Sequence, residues 1–205
     1  MTKESLMMRM LASEARVNMG DLRIGRINDS VWPKLIQAAS KLSDARLYVD
    51  ETAGLSPHEI RSKCRRLKAQ HGLDMIIIDY LQLMNLKMKV DNREREVAEI
   101  SKTLKEISKE LDIPVVALAQ LNRGVEARPN KRPMTSDLRE SGAIEQDADI
   151  IMFVYRDEYY NPDTKEPGIA EIIVGKNRAG ETGTAKLSWV GPYTSFENPA
   201  FNVDD

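Results

Sequence analysis

The sequence predicts an α/β fold, with a mostly parallel sheet flanked by helices and an antiparallel hairpin at its C-terminal edge. Short apolar runs typical of buried strands occur at Met75–Leu81, Ile113–Gln120 and Ile150–Tyr155. Helical patterns alternate with these runs, as in βαβ units. Two further strand-like runs, "IAEIIVGK" and "TAKLSWVG", are separated by a glycine-containing turn and predict the hairpin.

The first fifty residues predict two helices and a short strand. Apolar residues at helical spacing indicate a helix over Thr2–Met19, which Gly20 would close. A second helix is predicted over Ser30–Leu42, because its apolar residues recur on one side. The segment Ala45–Asp50, "ARLYVD", has the composition of a short strand.

Two later helices carry explicit start signals. Ser56 is a predicted N-cap, Pro57 occupies the first helical position and Glu59 completes a capping box. Gly72 marks the end of that helix. A second capping box, in the segment 91–94, opens a long helix. Its apolar face comprises Val97, Ile100, Leu104, Ile107 and Leu111.

Composition excludes several classes of protein. The 205 residues suit one domain, predicted over 1–205, and their net charge of −2 means that any nucleic-acid site must be a local patch. The single cysteine, Cys64, excludes an internal disulfide and fits a reducing cytoplasm. No apolar run is long enough to cross a membrane. Glu4, Arg9 and Glu14 interrupt the apolar N-terminal segment, so it does not read as a signal peptide.

Two polar residues are predicted to meet at one edge of the sheet. Asp79 follows the first buried strand and Gln120 ends the next. Because ligands of parallel sheets bind beyond the carboxyl ends of the strands, this pair suits phosphoryl chemistry. The acid would hold a magnesium ion or its waters, and the amide would orient a water or sense a terminal phosphate. Alone, Asp79 could equally cap the following loop; its pairing with Gln120 favours the functional interpretation.

Basic residues are concentrated in two later segments. The stretch 122–139 carries five cations against two acids and could meet a nucleic-acid backbone, although a solvated, flexible loop is an equal alternative. Ser141 and Gly142 would let the backbone turn and present amides near Arg139. Lys176 and Arg178 are predicted at a hairpin end, where they could reach a neighbouring subunit's nucleotide or simply be exposed cations beside a turn.

Four stretches, in this order, closely resemble the C-terminal motor domain of the bacterial replicative DNA helicase, the DnaB family. They are "IIIDYLQLM", "PVVALAQLNRGVEARPNKRP", "DLRESGAIEQDADIIMFVYR" and "GKNRAGETGTAKL". The resemblance covers nearly the whole chain, to about Phe196, and implies a RecA-like fold. It also implies an ATP-dependent ring of six that moves 5′ to 3′ on single-stranded DNA, with primase and a helicase loader as partners.

The resemblance assigns roles residue by residue. Asp79 corresponds to the aspartate that organises magnesium, and Gln120 to the residue that contacts the γ-phosphate and links it to the DNA loops. Arg139, Glu140 and Gly142 fall where the family contacts single-stranded DNA. Lys176 and Arg178 match the basic pair that reaches the nucleotide of the adjacent subunit.

One element of the family is missing from this sequence. No phosphate loop of the form G-x-x-x-x-G-K-S/T occurs in the 205 residues. The family carries that loop, its first core strand and its water-activating glutamate before the position equivalent to Met1. We therefore expect a truncated motor domain, or the downstream piece of an interrupted or mis-started reading frame. In either case its N-terminal core strands would be missing and it would be unable to hydrolyse ATP alone. A non-catalytic module that binds single-stranded DNA or a replication partner is the alternative. A recombinase or signalling ATPase is disfavoured by the stretch 137–149 together with "KNRAG".

Overall fold

The computed structural model describes residues 2–86 and 92–199, and the chain forms two compact units. Unit 1 comprises residues 1–51, 155–172 and 185–205. Unit 2 comprises residues 52–154 and 173–184. All the predicted site residues belong to unit 2.

Both units contain several helices. In the described residues the α-helices are α1 (Lys3–Ala15), α2 (Met19–Arg23), α3 (Trp32–Asp44), α4 (Pro57–His71), α5 (Arg93–Leu111), α6 (Gly142–Asp147) and α7 (Asp157–Tyr160). The same residues include 3-10 helices at Leu81–Leu83, Arg123–Ala127, Thr135–Ser141 and Gly191–Tyr193.

The strands of the described chain form two sheets. They are β1 (Ile76–Ile78), β2 (Val115–Ala117), β3 (Ile150–Tyr155), β4 (Ile169–Asn177), β5 (Gly183–Val190) and β6 (Ser195–Glu197). β1 and β2 are parallel, with Ile77 opposite Val116. The other sheet has the order β3-β4-β5-β6 and is antiparallel. The predicted α/β class and the β4–β5 hairpin are therefore confirmed, although β6 rather than the hairpin forms the edge.

The core of unit 2 surrounds α5. The five residues predicted to form its apolar face are all buried, and Ile100 and Ile107 have no exposed surface. They pack against β1, against Ile144 of α6 and against the half-buried Ile60 and Cys64 of α4. Burying such side chains contributes roughly 1.5–3 kcal/mol each. This packing holds β1, β2 and α6 around α5.

The predicted capping box of α4 is present, whereas α5 begins at a single side-chain cap instead of the predicted capping box. The Ser56 hydroxyl accepts the Glu59 amide, and the Glu59 carboxylate accepts the Ser56 amide at 2.9 Å, which completes the capping box. Gly72 ends α4 with φ at +79°, a backbone conformation that favours glycine. The cap of α5 is Asn92, whose side chain accepts the Glu94 amide at 3.0 Å; Asp91 lies outside the described residues.

Unit 1 has a separate core built by α1, α2 and α3. It comprises Ala12, Ala15, Val17, Leu22, Leu35 and Ala38. The predicted single helix over Thr2–Met19 is wrong, because α1 ends where Arg16 adopts the left-handed conformation with φ at +51°. Asn18 then caps α2 by accepting the amides of Gly20 and Asp21, so Gly20 lies inside a helix rather than closing one. The helix predicted over Ser30–Leu42 is confirmed as α3.

Four strand predictions need correction. The segment Ala45–Asp50 belongs to neither sheet of the described chain, and Leu47, Tyr48 and Val49 are 39–50% exposed. β1 and β2 have three residues each, because the regular parallel ladder covers only the middle of each apolar run. β3 has the predicted bounds but is buried on one face only: Ile151, Phe153 and Tyr155 face inward, whereas the alternate residues Ile150, Met152 and Val154 are exposed.

Candidate functional site

Asp79 and Gln120 follow the same end of the parallel strand pair. Asp79 is the residue after β1, and Gln120 lies three residues beyond the end of β2. Backbone pairing continues past both strands: the Leu118 amide donates to the Ile78 carbonyl, and the Leu81 amide donates to the Leu118 carbonyl, each at 2.9 Å. The structure thus brings the two predicted residues to one sheet edge.

A side chain that the sequence patterns did not single out holds Gln120 in place. The Gln82 side-chain oxygen accepts the Gln120 amide at 3.2 Å, and its nitrogen donates to the Gln120 carbonyl at 3.3 Å. Gln82 lies three residues after Asp79, in the 3-10 helix Leu81–Leu83. Both backbone groups of Gln120 are therefore satisfied by the loop that carries Asp79.

The Asp79 and Gln120 side chains are exposed and have no hydrogen-bond partner among the described residues. Among residues 2–86 and 92–199, no group donates to the Asp79 carboxylate, and the Gln120 side-chain amide makes no hydrogen bond. The same residues contain no group of three or more His, Cys, Asp or Glu able to hold a metal. A lone exposed carboxylate suits Mg²⁺, which keeps several waters and takes one or two carboxylates with substrate phosphates.

The basic segment 122–139 is built on an internal ion pair. It forms the 3-10 helices Arg123–Ala127 and Thr135–Ser141. The buried Asp137 carboxylate accepts Arg128 Nη2 at 2.7 Å and the Met134 amide at 2.8 Å, while the Asp137 carbonyl accepts the Asn122 amide at 3.1 Å. Arg128 is thus engaged inside the segment, and the contacts around Asp137 join the Gln120 strand end to the start of the predicted DNA-contacting residues.

The predicted DNA-contacting residues lie at the end of that segment and just beyond it. The side chains of Arg139 and Glu140 lie outside the described part of the structure. Gly142 is exposed, and a Cβ at this position would meet no atom within 4 Å. Its φ of −52° and ψ of −27° are helical values that any residue adopts, so the expected glycine-dependent turn is wrong.

Lys176 and Arg178 lie at the β4 end of the hairpin, as predicted, and both contact the C-terminal end of α6. Lys176 donates to the Glu145 carbonyl, and Arg178 donates to the Gln146 carbonyl. Gly175 lets β4 approach β3 closely here, because a Cβ at that position would lie 2.7 Å from the Phe153 ring. Cations at the C-terminus of a helix are electrostatically favourable.

A carboxylate that the sequence patterns also missed completes this contact. Asp149 Oδ1 accepts Arg178 Nη1 at 3.3 Å, and Asp149 Oδ2 pairs with Lys105 of α5. The hydrogen bond from Lys105, with Arg178 adding further positive charge, holds the pKa of Asp149 below its ordinary value. The only available signal was its position directly before β3.

The structure therefore places the four predicted nucleotide-site residues in two groups rather than one. Asp79 and Gln120 share a strand edge, and Lys176 and Arg178 share the end of α6. No hydrogen bond or ion pair between described residues joins one group to the other.

Comparison with known proteins decides the family. Residues 1–198 match the family described as the DnaB-like helicase C-terminal domain. The chain belongs to that family. Two solved structures superimpose on this DnaB-like domain with TM-scores of 0.94.

Three proteins similar to this chain are a replicative DNA helicase and two solved structures. The replicative DNA helicase DnaC of Bacillus subtilis (strain 168) is 51% identical across the whole chain, and the chain spans 45% of that protein's length. One of the two solved structures is described as an ATPase domain and is 39% identical over 98% of this chain and 72% of that one. The other describes a DnaB-like replicative helicase and its interactions with primase, at 39% identity over 98% of this chain and 49% of that one. In the described residues, no helix of this DnaB-like domain is long and apolar enough to span a membrane.

Proposed function

We propose that this chain is the motor part of an ATP-dependent replicative DNA helicase, a cytoplasmic ring of six that translocates 5′ to 3′ on single-stranded DNA and unwinds the duplex. One observation carries the proposal: Asp79 and Gln120 meet at the carboxyl end of a parallel strand pair, with free side chains, in a DnaB-like domain. We also propose that residues 1–205 belong to one motor domain.

Asp79 and Gln120 form the part of the ATP site that this chain supplies. The exposed Asp79 carboxylate would hold a magnesium ion, through water, beside the phosphates. When bound, the ion would neutralise charge on the phosphate oxygens. The Gln120 side chain would contact the terminal phosphate. Gln82 holds both the backbone amide and the backbone carbonyl of Gln120. The side-chain amide of Gln120 would therefore extend toward the phosphate from a fixed backbone position.

Lys176 and Arg178 would act on the nucleotide of the adjacent subunit. Both side chains donate to the C-terminal end of α6, and among the described residues neither makes a hydrogen bond or ion pair to Asp79 or Gln120. A residue that reaches across a subunit boundary can stabilise the charge that develops on the transferred phosphoryl group, as arginine fingers do. The planar Arg178 guanidinium suits phosphate oxygens because it can donate two parallel hydrogen bonds.

The end of the basic segment would contact DNA. Arg139, Glu140 and Gly142 follow Asp137, whose carbonyl accepts the Asn122 amide close to the Gln120 strand end. A backbone approach at the open Gly142 would suit a phosphate or sugar, which carries little base preference. We further propose primase and a helicase loader as partners of the complete protein.

The complete protein is required for turnover. The 205 residues contain no phosphate loop, whose backbone amides and lysine hold the β- and γ-phosphates in other ATPases. We therefore expect no ATP hydrolysis by this chain alone.

A strand-separation assay tests the proposal. A full-length helicase carrying this chain can be made by joining it to the segment that precedes the matched region in the Bacillus subtilis relative. We expect ATP-dependent unwinding of a fork with a 5′ single-stranded tail, and its loss in Asp79→Asn. Salt-sensitive binding to single strands, with no ATP-dependent unwinding by the wild-type protein, would support the non-catalytic binding module instead.

A further inference from the structure

Asp149 contacts Arg178 through both its backbone and its side chain. The Asp149 carbonyl accepts the Arg178 amide at 2.9 Å, and its Oδ1 accepts Arg178 Nη1 at 3.3 Å. Asp149 lies between α6 and β3, whereas Arg178 directly follows β4. The two contacts together fix where the Arg178 side chain leaves the backbone and the direction in which it extends.

The second oxygen of Asp149 is held by a different element. Oδ2 pairs with Lys105, which is on the long helix α5, and the Lys105 side chain is only 25% exposed. The carboxylate therefore lies between two cations from different parts of unit 2, one on the core helix and one on the hairpin. Because one of these cations is on the core helix α5, the bridging carboxylate restricts the movement of the exposed arginine.

These contacts leave most of the guanidinium available. Of its five N–H groups, one donates to Asp149 and one to the Gln146 carbonyl within the described part of the chain, so three remain. The Arg178 side chain is 51% exposed, and these donors can reach an outside acceptor. The contacts with Asp149 and Gln146 thus orient Arg178 and leave three of its N–H donors available.

We propose that Asp149, supported by Lys105, is a positioning residue that pre-orients Arg178 toward the nucleotide of the adjacent subunit. The inference rests on the proposed function, which supplies the role of Arg178. A free arginine samples many rotamers and must lose that freedom on reaching a phosphate. Holding the side chain in advance removes much of this cost from each encounter.

A purely structural ion pair is the competing explanation, and the chain offers a matched control. Lys186 of β5 pairs with Glu166 at similar exposure, 50% and 46%, and neither residue belongs to the proposed site. Glu166→Ala removes an acid–base pair of the same kind. If pairs of this sort affect only folding, Glu166→Ala and Asp149→Ala should behave alike.

A double-mutant cycle in the full-length helicase carrying this chain tests the proposal. Asp149→Ala, Arg178→Ala, the double variant and Glu166→Ala are compared for the kcat of ATP hydrolysis. We also compare their affinity for a fluorescent ATP analogue that is not hydrolysed. We expect Asp149→Ala to lower kcat about fivefold, within what an exposed ion pair contributes, and to weaken analogue binding to a similar degree. Because Asp149 acts through Arg178, the double variant should equal Arg178→Ala.

Two further variants distinguish a loss of positioning from a folding defect. Asp149→Asn keeps the shape and the hydrogen-bond acceptor but removes the charge, and should show a smaller loss. Asp149→Glu should recover part of the rate. Additive effects of Asp149→Ala and Arg178→Ala, or an Asp149→Ala rate equal to that of Glu166→Ala, would overturn the positioning role and leave the proposed function standing. A wild-type rate in Arg178→Ala would instead remove the trans role of Arg178 itself.

Discussion

The two halves of the proposed ATP site are positioned in opposite ways. At the strand edge, the backbone does the positioning: Gln82 holds both backbone groups of Gln120, and the side chains of Asp79 and Gln120 stay free. At the hairpin, the side chains themselves are held, because Lys176 and Arg178 donate to the end of α6.

This difference fits the target that we propose for each half. A residue that meets a ligand on its own chain needs a fixed backbone and an unoccupied functional group. A residue that extends toward another subunit needs a fixed direction for a long, flexible side chain. Variants of the two halves should therefore fail differently, and substitutions on each side can separate them.

Removing the arginine of the hairpin should have the largest effect. Arg178→Ala in the full-length helicase should lower ATP hydrolysis about a thousandfold, the lower end of the range for arginine fingers. Steady-state hydrolysis at saturating ATP measures this. Lys186→Ala removes another exposed cation outside the site and should leave the rate unchanged. A rate within a few fold of wild type in Arg178→Ala would contradict the hairpin's role.

Neutralising the free carboxylate at the strand edge should come next. Asp79→Asn should reduce turnover about a hundredfold, since a side chain aimed at developing charge typically contributes that much. The defect should shrink as Mg²⁺ is raised, because the lost ligand weakens ion binding. Titration of the rate against Mg²⁺ checks this. Equal magnesium dependence in both proteins would argue that Asp79 only caps its loop.

Removing the Gln82 side chain, which holds the Gln120 backbone, should give a smaller defect of a distinct kind. Gln82→Ala removes both hydrogen bonds to the Gln120 backbone while leaving the Gln120 side chain intact. We expect about a tenfold fall in kcat, with little further loss when Gln120→Ala is added. Full additivity of the two substitutions would show that Gln82 does not act through Gln120.

The smallest effect concerns pH. Glu96 accepts the Leu86 amide at 3.0 Å and pairs with Arg93, which donates to the Gln82 carbonyl at 2.6 Å. The Leu86 hydrogen bond, followed by Arg93, lowers the pKa of Glu96 from its ordinary 4.5. A depressed pKa means that the stabilisation is complete above pH 4.5 and is lost as pH falls through the lower, folded value.

Urea unfolding at pH 7 and at pH 3.5 measures this contribution. Wild type should lose at most about 1 kcal/mol more than Glu96→Gln on acidification, since partial exposure limits such pairs. Equal losses in the two proteins would show that Glu96 does not stabilise the segment after β1.

Local signals in the sequence predicted much of the fold. The capping box at Ser56 and Glu59 and the apolar face of α5 follow from short-range rules, and both are present. The break at Arg16 was not predictable in that way, because a non-glycine residue adopts a left-handed conformation there. The exposed face of β3 was also missed, since a continuous apolar run does not reveal which side is covered.

The site was predicted only in part for a related reason. Asp79 and Gln120 were expected to meet because parallel strands end at a common edge, a rule that needs only the strand order. Gln82 and Asp149 act through contacts that span 38 and 29 residues along the chain. No local pattern predicts such contacts: the first depends on the pairing of β1 with β2, and the second on the position of the hairpin beside the segment between α6 and β3.

The central claim is that Asp79 of one subunit and Arg178 of its neighbour complete a single pocket. The most direct test mixes two inactive full-length proteins, Asp79→Asn and Arg178→Ala, and measures ATP hydrolysis of the reassembled rings. In a ring, about one pocket in four then combines an intact Asp79 with an intact neighbouring Arg178, so activity should reappear. If both residues serve the pocket of their own chain, mixing restores nothing, and hydrolysis stays at the level of the separate variants.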